Sequence, residues 1–267
     1  MSNFRLLLAV MVVALLAGCG TLPGGGLWGA DATLRPGWDR IGTAARDAAL
    51  APQTWAPLAG AAVFRLTDWD YQVSRWAVNH NPVFGSEDNA DSASDTLAYA
   101  GGGILALTIL AAPDGTEPGP WLAAKAKGTV GDLAAIFAAQ GMSEGLKSAT
   151  HRPRPDRTDN KSFPSGHAVA AASFATLASR NLEAYPLSSG ERTLANIGLG
   201  SLAAATCWSR VEAGKHYPSD VLTGAALGYF VSAFVNDAFL VNDNGPPLRA
   251  TFDTSRHGAM IGLAWGF

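Results

Sequence analysis

A chain of 267 residues, 48% of them hydrophobic, is long enough for one sizeable core. Its formal charge of −3 becomes −4 without residues 1–18, which hold Arg5 and no acid, and neither value suits a nucleic-acid binder. Only 15% of residues are charged and alanine and glycine are abundant, so the composition implies helices that pack closely through small side chains.

The N-terminus reads as an address. Residues 1–19, MSNFRLLLAVMVVALLAGC, carry one positive charge at Arg5, an apolar run from Leu6 to Leu16 and then small residues, the layout of a secretory signal. The run is too short for a stable bilayer anchor. Its end, Leu16-Ala17-Gly18-Cys19, resembles the bacterial lipobox, which implies a signal peptide of residues 1–18 and a lipid on the Cys19 thiol. Gly20 after the cysteine, where Asp would retain the protein, implies the outer membrane, facing the periplasm. Lipidation of Cys19 leaves Cys207 alone, so the exported chain would hold no intrachain disulfide. Cys207 sits in an apolar run and reads as a buried small hydrophobe. Residues 19–37, rich in glycine and proline, read as a flexible tether.

A helical domain is expected over residues 38–241. Trp38 to Leu50 places Trp38, Ile41 and Ala45 on one side of a short amphipathic helix, which Pro52 and Pro57 then punctuate. Leu58–Leu66 and Asp70–Val78 suit two further helices, before a polar loop at Asn79–Asp91. Thr96–Ala112 is apolar all round, slightly short for a span and interrupted by three glycines, so it reads as a core helix, with a membrane segment as the alternative. Trp121–Thr150 reads as one long helix: Leu122, Val130, Leu133, Phe137 and Leu146 recur at helical intervals, and Pro153 and Pro155 stop it. Three more helices follow, from Ser165 to about Leu182, Glu191 to about Cys207 and Pro218 to about Val241. Residues 242–267 change character. Leu248–Phe252 and Ala259–Phe267 have a strand period, giving a small C-terminal β-hairpin expected to pack on the helices.

The chemistry is concentrated between Lys147 and Asp220. Lys147 lies near a helix end, and Arg154 follows seven positions later, past Pro153, so both cations can face one cleft. A phosphoryl group needs such neutralisation, and an arginine fork can take two of its oxygens. Arg152 and Lys161 add positive charge nearby. In Pro164-Ser165-Gly166-His167, Gly166 lets the backbone approach a ligand and the helix that follows offers free N–H groups, an anion site with His167 at its mouth. Arg210 brings a third strong cation, and Asp220, four positions after His216, is placed to reach one imidazole nitrogen and leave the other free to attack.

Lys147 with Arg154-Pro155, Pro164 to His167, and Ser209-Arg210 with His216 and Asp220 resemble the three-part signature of the type-2 phosphatidic acid phosphatase superfamily, which includes vanadium haloperoxidases. The match covers Lys147 to Asp220 with no departure at any signature position. The resemblance implies an all-α six-helix bundle and a metal-independent phosphatase without a cofactor. His216, oriented by Asp220, would attack phosphorus; His167 would protonate the leaving oxygen and then activate water. Lys147, Arg154, Arg210, the Ser165 hydroxyl and the Gly166 N–H would hold the phosphate oxygens.

Two alternatives share the cradle: a vanadate-dependent haloperoxidase, and an envelope binding protein with a retired site. The expected partners are a phosphorylated lipid or small phosphate ester and a membrane reached through Cys19, with no nucleic acid and no obligate protein partner. His80, His151 and His257 lie outside the signature and read as surface or substrate-loop residues.

Overall fold

The computed structural model describes residues 27–113, 118–240, 248–255 and 258–265. The signal peptide, Cys19, the first part of the tether and His257 lie outside the described residues. The architecture is all-α, with helices α1 (Trp38–Leu50), α2 (Pro52–Leu66), α3 (Trp69–His80), α4 (Glu87–Ala111), α5 (Pro118–Thr150), α6 (Gly166–Leu182), α7 (Ser189–Glu212) and α8 (Pro218–Val235). A π-helical turn, Asn236–Leu240, ends α8.

Local signals set most of these boundaries. The Ser86 hydroxyl accepts from Asn89 N and starts α4, and Ser188 and Glu191 form a reciprocal capping box at the start of α7. Pro218 takes the first turn of α8, where its missing N–H costs nothing. Pro57 does not break the chain as the sequence suggests. It lies inside α2, which runs on through it at the loss of one backbone bond. Helix α4 begins within the stretch expected as a polar loop, because its cap and acidic first turn, Glu87 and Asp88, suit a helix N-terminus.

Small residues build the interior. Helix α6 is central, and α8 lies against it so closely that a Cβ at Gly224 would be 2.6 Å from Ser165 O and one at Gly228 2.4 Å from Val169 O. Leu105, Ala135, Leu177, Ala178 and Leu199 join α4, α5, α6 and α7 in one cluster.

Helix α5 is turned the opposite way from a soluble amphipathic helix. The stripe that reveals its period, Leu122, Val130, Leu133 and Phe137, is exposed, while Ala124, Lys125, Asp132, Ala135, Ala139 and Ser143 are buried. Helix α4 likewise buries only one face, through Ala90, Ser94, Gly101, Leu105 and Thr108. Tyr99, Ile104 and Leu107 remain exposed, so the expected core helix is a core element on one side only. Helix α1 buries Ala44 and Ala48 and leaves Trp38 outside.

The tether is shorter than the sequence suggests. Trp28 Nε1 donates to Asn181 Oδ1 at 3.1 Å, and Thr33 N donates to Phe239 O at 2.9 Å. The Trp28 ring occupies the place of a side chain at Gly128, where a Cβ would meet it at 2.4 Å, and the Lys125 ammonium lies 5.4 Å from its centre. A glycine slot, a buried amide acceptor and the Phe239 carbonyl therefore hold residues 28–33 on the helices.

Leu248–Ser255 (β1) and Gly258–Trp265 (β2) pair antiparallel, from Leu248 opposite Trp265 to Ser255 opposite Gly258. Their side chains, and with them the expected packing on the helices, lie outside the description.

Candidate active site

Helix ends supply the site. Lys147 comes from the last turn of α5, and a Cβ on Gly166, the first residue of α6, would be 3.0 Å from its Nζ. Gln140 Nε2 donates to Gly166 O at 3.1 Å, tying the same two elements together. Ser165 is the N-cap of α6; its Oγ is buried without a hydrogen-bond partner among the described residues. A buried hydroxyl left this way is costly unless a ligand oxygen meets it.

The loop between α5 and α6 folds back on itself. Ser162 N donates to Arg152 O at 3.0 Å and Arg154 N to Asp159 O at 3.0 Å. The Arg154 side chain is held by Asp159, Nε to Oδ1 2.7 Å. Arg210, in the last turn of α7, is 5% exposed. It donates to Ser94 Oγ at 2.8 Å and pairs with Asp91. Its Nε is buried without a partner among the described residues, the second such donor at this site.

His216, just before α8, is 2% exposed. Its Nδ1 donates to Ser162 O at 2.6 Å, which leaves Nε2 with its lone pair. Burial first, then the charges of Arg210, Arg154 and Lys147, push its pKa well below the ordinary histidine value. All three cations are therefore close enough for their charge to act on this ring.

Asp220 does not bind His216 as the sequence suggests; its Oδ2 stands 4.0 Å from Nδ1. It accepts instead from Ser162 Oγ at 2.5 Å and Tyr217 N at 2.9 Å, and pairs with Arg152. The carboxylate thus positions the Ser162 segment whose carbonyl holds the histidine. Burial pushes its carboxyl up to about 6, against the opposing charge of Arg152. Arg152 is committed away from the cleft. Its second nitrogen meets Asp70 Oδ2 at 2.7 Å, and Asp70 Oδ1 accepts from Ser219 N at 2.8 Å. It therefore braces the site and is not one more phosphate ligand.

His167 sits in the first turn of α6 with Nε2 2.8 Å from Asp95 Oδ1 on α4. Burial and the charge of Arg210 lower its pKa, against the opposing effects of Asp95 and Asp91. Ser162, Asp70, Asp91 and Asp95 carry no motif, and no spacing in the sequence points to them. Elsewhere, Cys207 is partly buried, packed beside Ala77, Ala168, Val211 and Val221, and desolvation pushes its thiol up to about 12. His80 stacks on Trp76, ring centres 5.2 Å apart, and His151 is exposed on the loop.

Residues 129–242 match the family model described as PAP2 superfamily. A lipid A 1-phosphatase of Porphyromonas gingivalis is 35% identical over 103 residues, which make up 38% of this chain and 22% of that protein. The chain therefore spans well under half of that relative's length. A transmembrane PAP2-type phosphatidylglycerolphosphate phosphatase from Bacillus subtilis has the same fold, with a TM-score of 0.52 at 22% identity over 68% of this chain and 90% of that one. The buried His216, its pKa lowered by the charges of one lysine and two arginines, lies within the residues that match the PAP2 superfamily model.

Proposed function

We propose that the chain is a phosphatase acting on lipid phosphates through a phosphohistidine at His216. The observation that carries this reading is the His216 ring itself, buried, fixed at Nδ1 by the Ser162 carbonyl and kept towards its neutral form by burial and the charges of Arg210, Arg154 and Lys147.

In the first step Nε2 of His216 bonds to phosphorus as the bond to the leaving oxygen breaks, and His167 gives that oxygen a proton. In the second, His167 takes a proton from water, the water oxygen bonds to phosphorus, and the electrons of the P–N bond return to Nε2. The Nδ1–H bond to Ser162 O strengthens as the ring gains positive charge. Lys147, Arg154, Arg210, Ser165 Oγ and Gly166 N–H hold the equatorial oxygens as charge develops; such a preorganised donor contributes on the order of 3 kcal/mol.

A lipid substrate is supported by the apolar exterior of α4 and α5 and by the two relatives named above. Helix Glu87–Ala111 and the segment Pro218–Leu240 are long and apolar enough to cross a membrane. In the same reading Cys19 carries a lipid, and the chain resides in the bacterial cell envelope.

The test is phosphate release by the purified full chain from lipid and soluble phosphates, in EDTA, beside His216→Ala. Release that persists in EDTA and falls by at least about 10³-fold in the variant is expected. A variant that retains turnover would sink the phosphohistidine reading.

A further inference from the structure

The general acid of this site works under adverse conditions. His167 must hold a proton to give to the leaving oxygen, yet burial and the Arg210 charge both favour its neutral form. The charged groups that act on it are Arg210 from α7 and Asp91 and Asp95 from α4. Asp91 is engaged by Arg210. Asp95, one turn further along α4, makes the direct contact, Oδ1 to Nε2 at 2.8 Å.

We infer that Asp95 is the positioning residue of the general acid, holding the His167 ring by Nε2–H so that Nδ1 carries and then recovers the transferred proton. This rests on the phosphatase reading above. With Nε2 committed to Asp95, the ring has Nδ1 left for the leaving oxygen. When Nδ1 gives up its proton, the neutral ring keeps Nε2–H bonded to the carboxylate. Nδ1 then has the lone pair needed to take a proton from water in the second step. One contact thus fixes the tautomer for both halves of the reaction, and its negative charge favours the protonated ring against the opposing charge of Arg210. Asp95 is 58% exposed in its side chain, so an isosteric amide is accommodated without disturbing the bundle.

The experiment compares wild type, Asp95→Asn and Asp95→Glu on an alkyl phosphate and on p-nitrophenyl phosphate across the acid and neutral range, with thermal melts alongside. For Asp95→Asn the alkaline limb of kcat/KM should move down by about one pH unit, which is about a tenfold loss at pH values above it. The ionisation of the substrate is common to all three proteins and cancels. The loss should fall on kcat more than KM, and be several-fold smaller for p-nitrophenyl phosphate, whose leaving group needs little protonation. Asp95→Glu should recover most of the rate.

Superimposable pH profiles for wild type and Asp95→Asn, or equal losses on both substrates with an unmoved limb, would overturn the inference while leaving an active, His216-dependent enzyme intact. A wild type that releases no phosphate, or a His216→Ala variant that stays active, would overturn the reading of the site and this inference with it.

Discussion

His216 and His167 both have lowered pKa values, which bear in opposite ways on the roles proposed for them. A nucleophile must be neutral, so the shift at His216 places the acid limb of kcat/KM well under the ordinary histidine value of 6.5. An acid must be protonated, so the shift at His167 places the alkaline limb below 6.5 as well. The expected profile, corrected for ionisation of the substrate phosphate, is an optimum on the acid side of neutrality with a fall as pH rises through the His167 pKa. A plateau extending above neutrality would contradict these assignments. Lys147, Arg154, Ser165, Gly166, His167, Arg210 and His216 are legible in the sequence because each is a side chain at a set spacing from a helix end, a proline or a glycine. The group that accepts the Nδ1 proton of His216 is not, because a backbone carbonyl such as Ser162 O has no signature. Spacing alone suggests Asp220 for that role, and the fold gives it the next position out.

Helices α6 and α8 set the positions of Ser165 and His167 relative to His216. Gly224 and Gly228 lie one turn apart on α8, and each faces backbone of α6 or of its N-cap at a distance no Cβ can share. Ser165 N donates to Asp220 O at 3.1 Å, so the two helix starts are joined at the site itself. Gly224→Ala would therefore push the cap of α6 away from α8, at a cost of about 1–3 kcal/mol by overpacking. The expected result is a lower melting temperature together with reduced turnover. Gly103→Ala, on the exposed side of α4 where a Cβ meets nothing within 4 Å, should leave turnover unchanged and hold or raise the melting temperature. A Gly224→Ala protein that melts and turns over like wild type would show that the α6–α8 spacing does not set the site. Helix order and most boundaries can be read from caps and periodicity. The interior cannot be read by hydrophobicity, because alanine, glycine and serine fill it and period alone does not say which stripe of α5 faces in.

Helices α4 and α5 are inverted relative to the helices of a soluble bundle. Large apolar side chains on α4 and α5, among them Tyr99, Leu107, Val130, Leu133 and Phe137, point outward, while small residues and a few paired polar groups make the helix contacts. Water does not favour that distribution, whereas lipid removes the penalty and lets small residues bring backbones together. The uncharged exposed run on α5 from Val130 to Met142 covers about 18 Å of helix at 1.5 Å per residue. A lipid surface is accordingly the expected partner of this face, independently of any lipid on Cys19. Full-length Cys19→Ser protein should still float with phospholipid vesicles. Phe137→Asp in that background should weaken flotation, by about 2 kcal/mol or roughly thirtyfold for one buried aromatic side chain. Phe137 is 71% exposed and belongs to the outward stripe of α5, so hydrolysis of a soluble phosphate by the same variant should continue. Flotation that depends on Cys19 and ignores Phe137 would assign the membrane contact to the anchor alone. Loss of soluble-substrate turnover with Phe137→Asp would mean that the outer face of α5 is coupled to Lys147 at its end. Retention of turnover with loss of flotation would separate the surface that finds the membrane from the site that cleaves the phosphate.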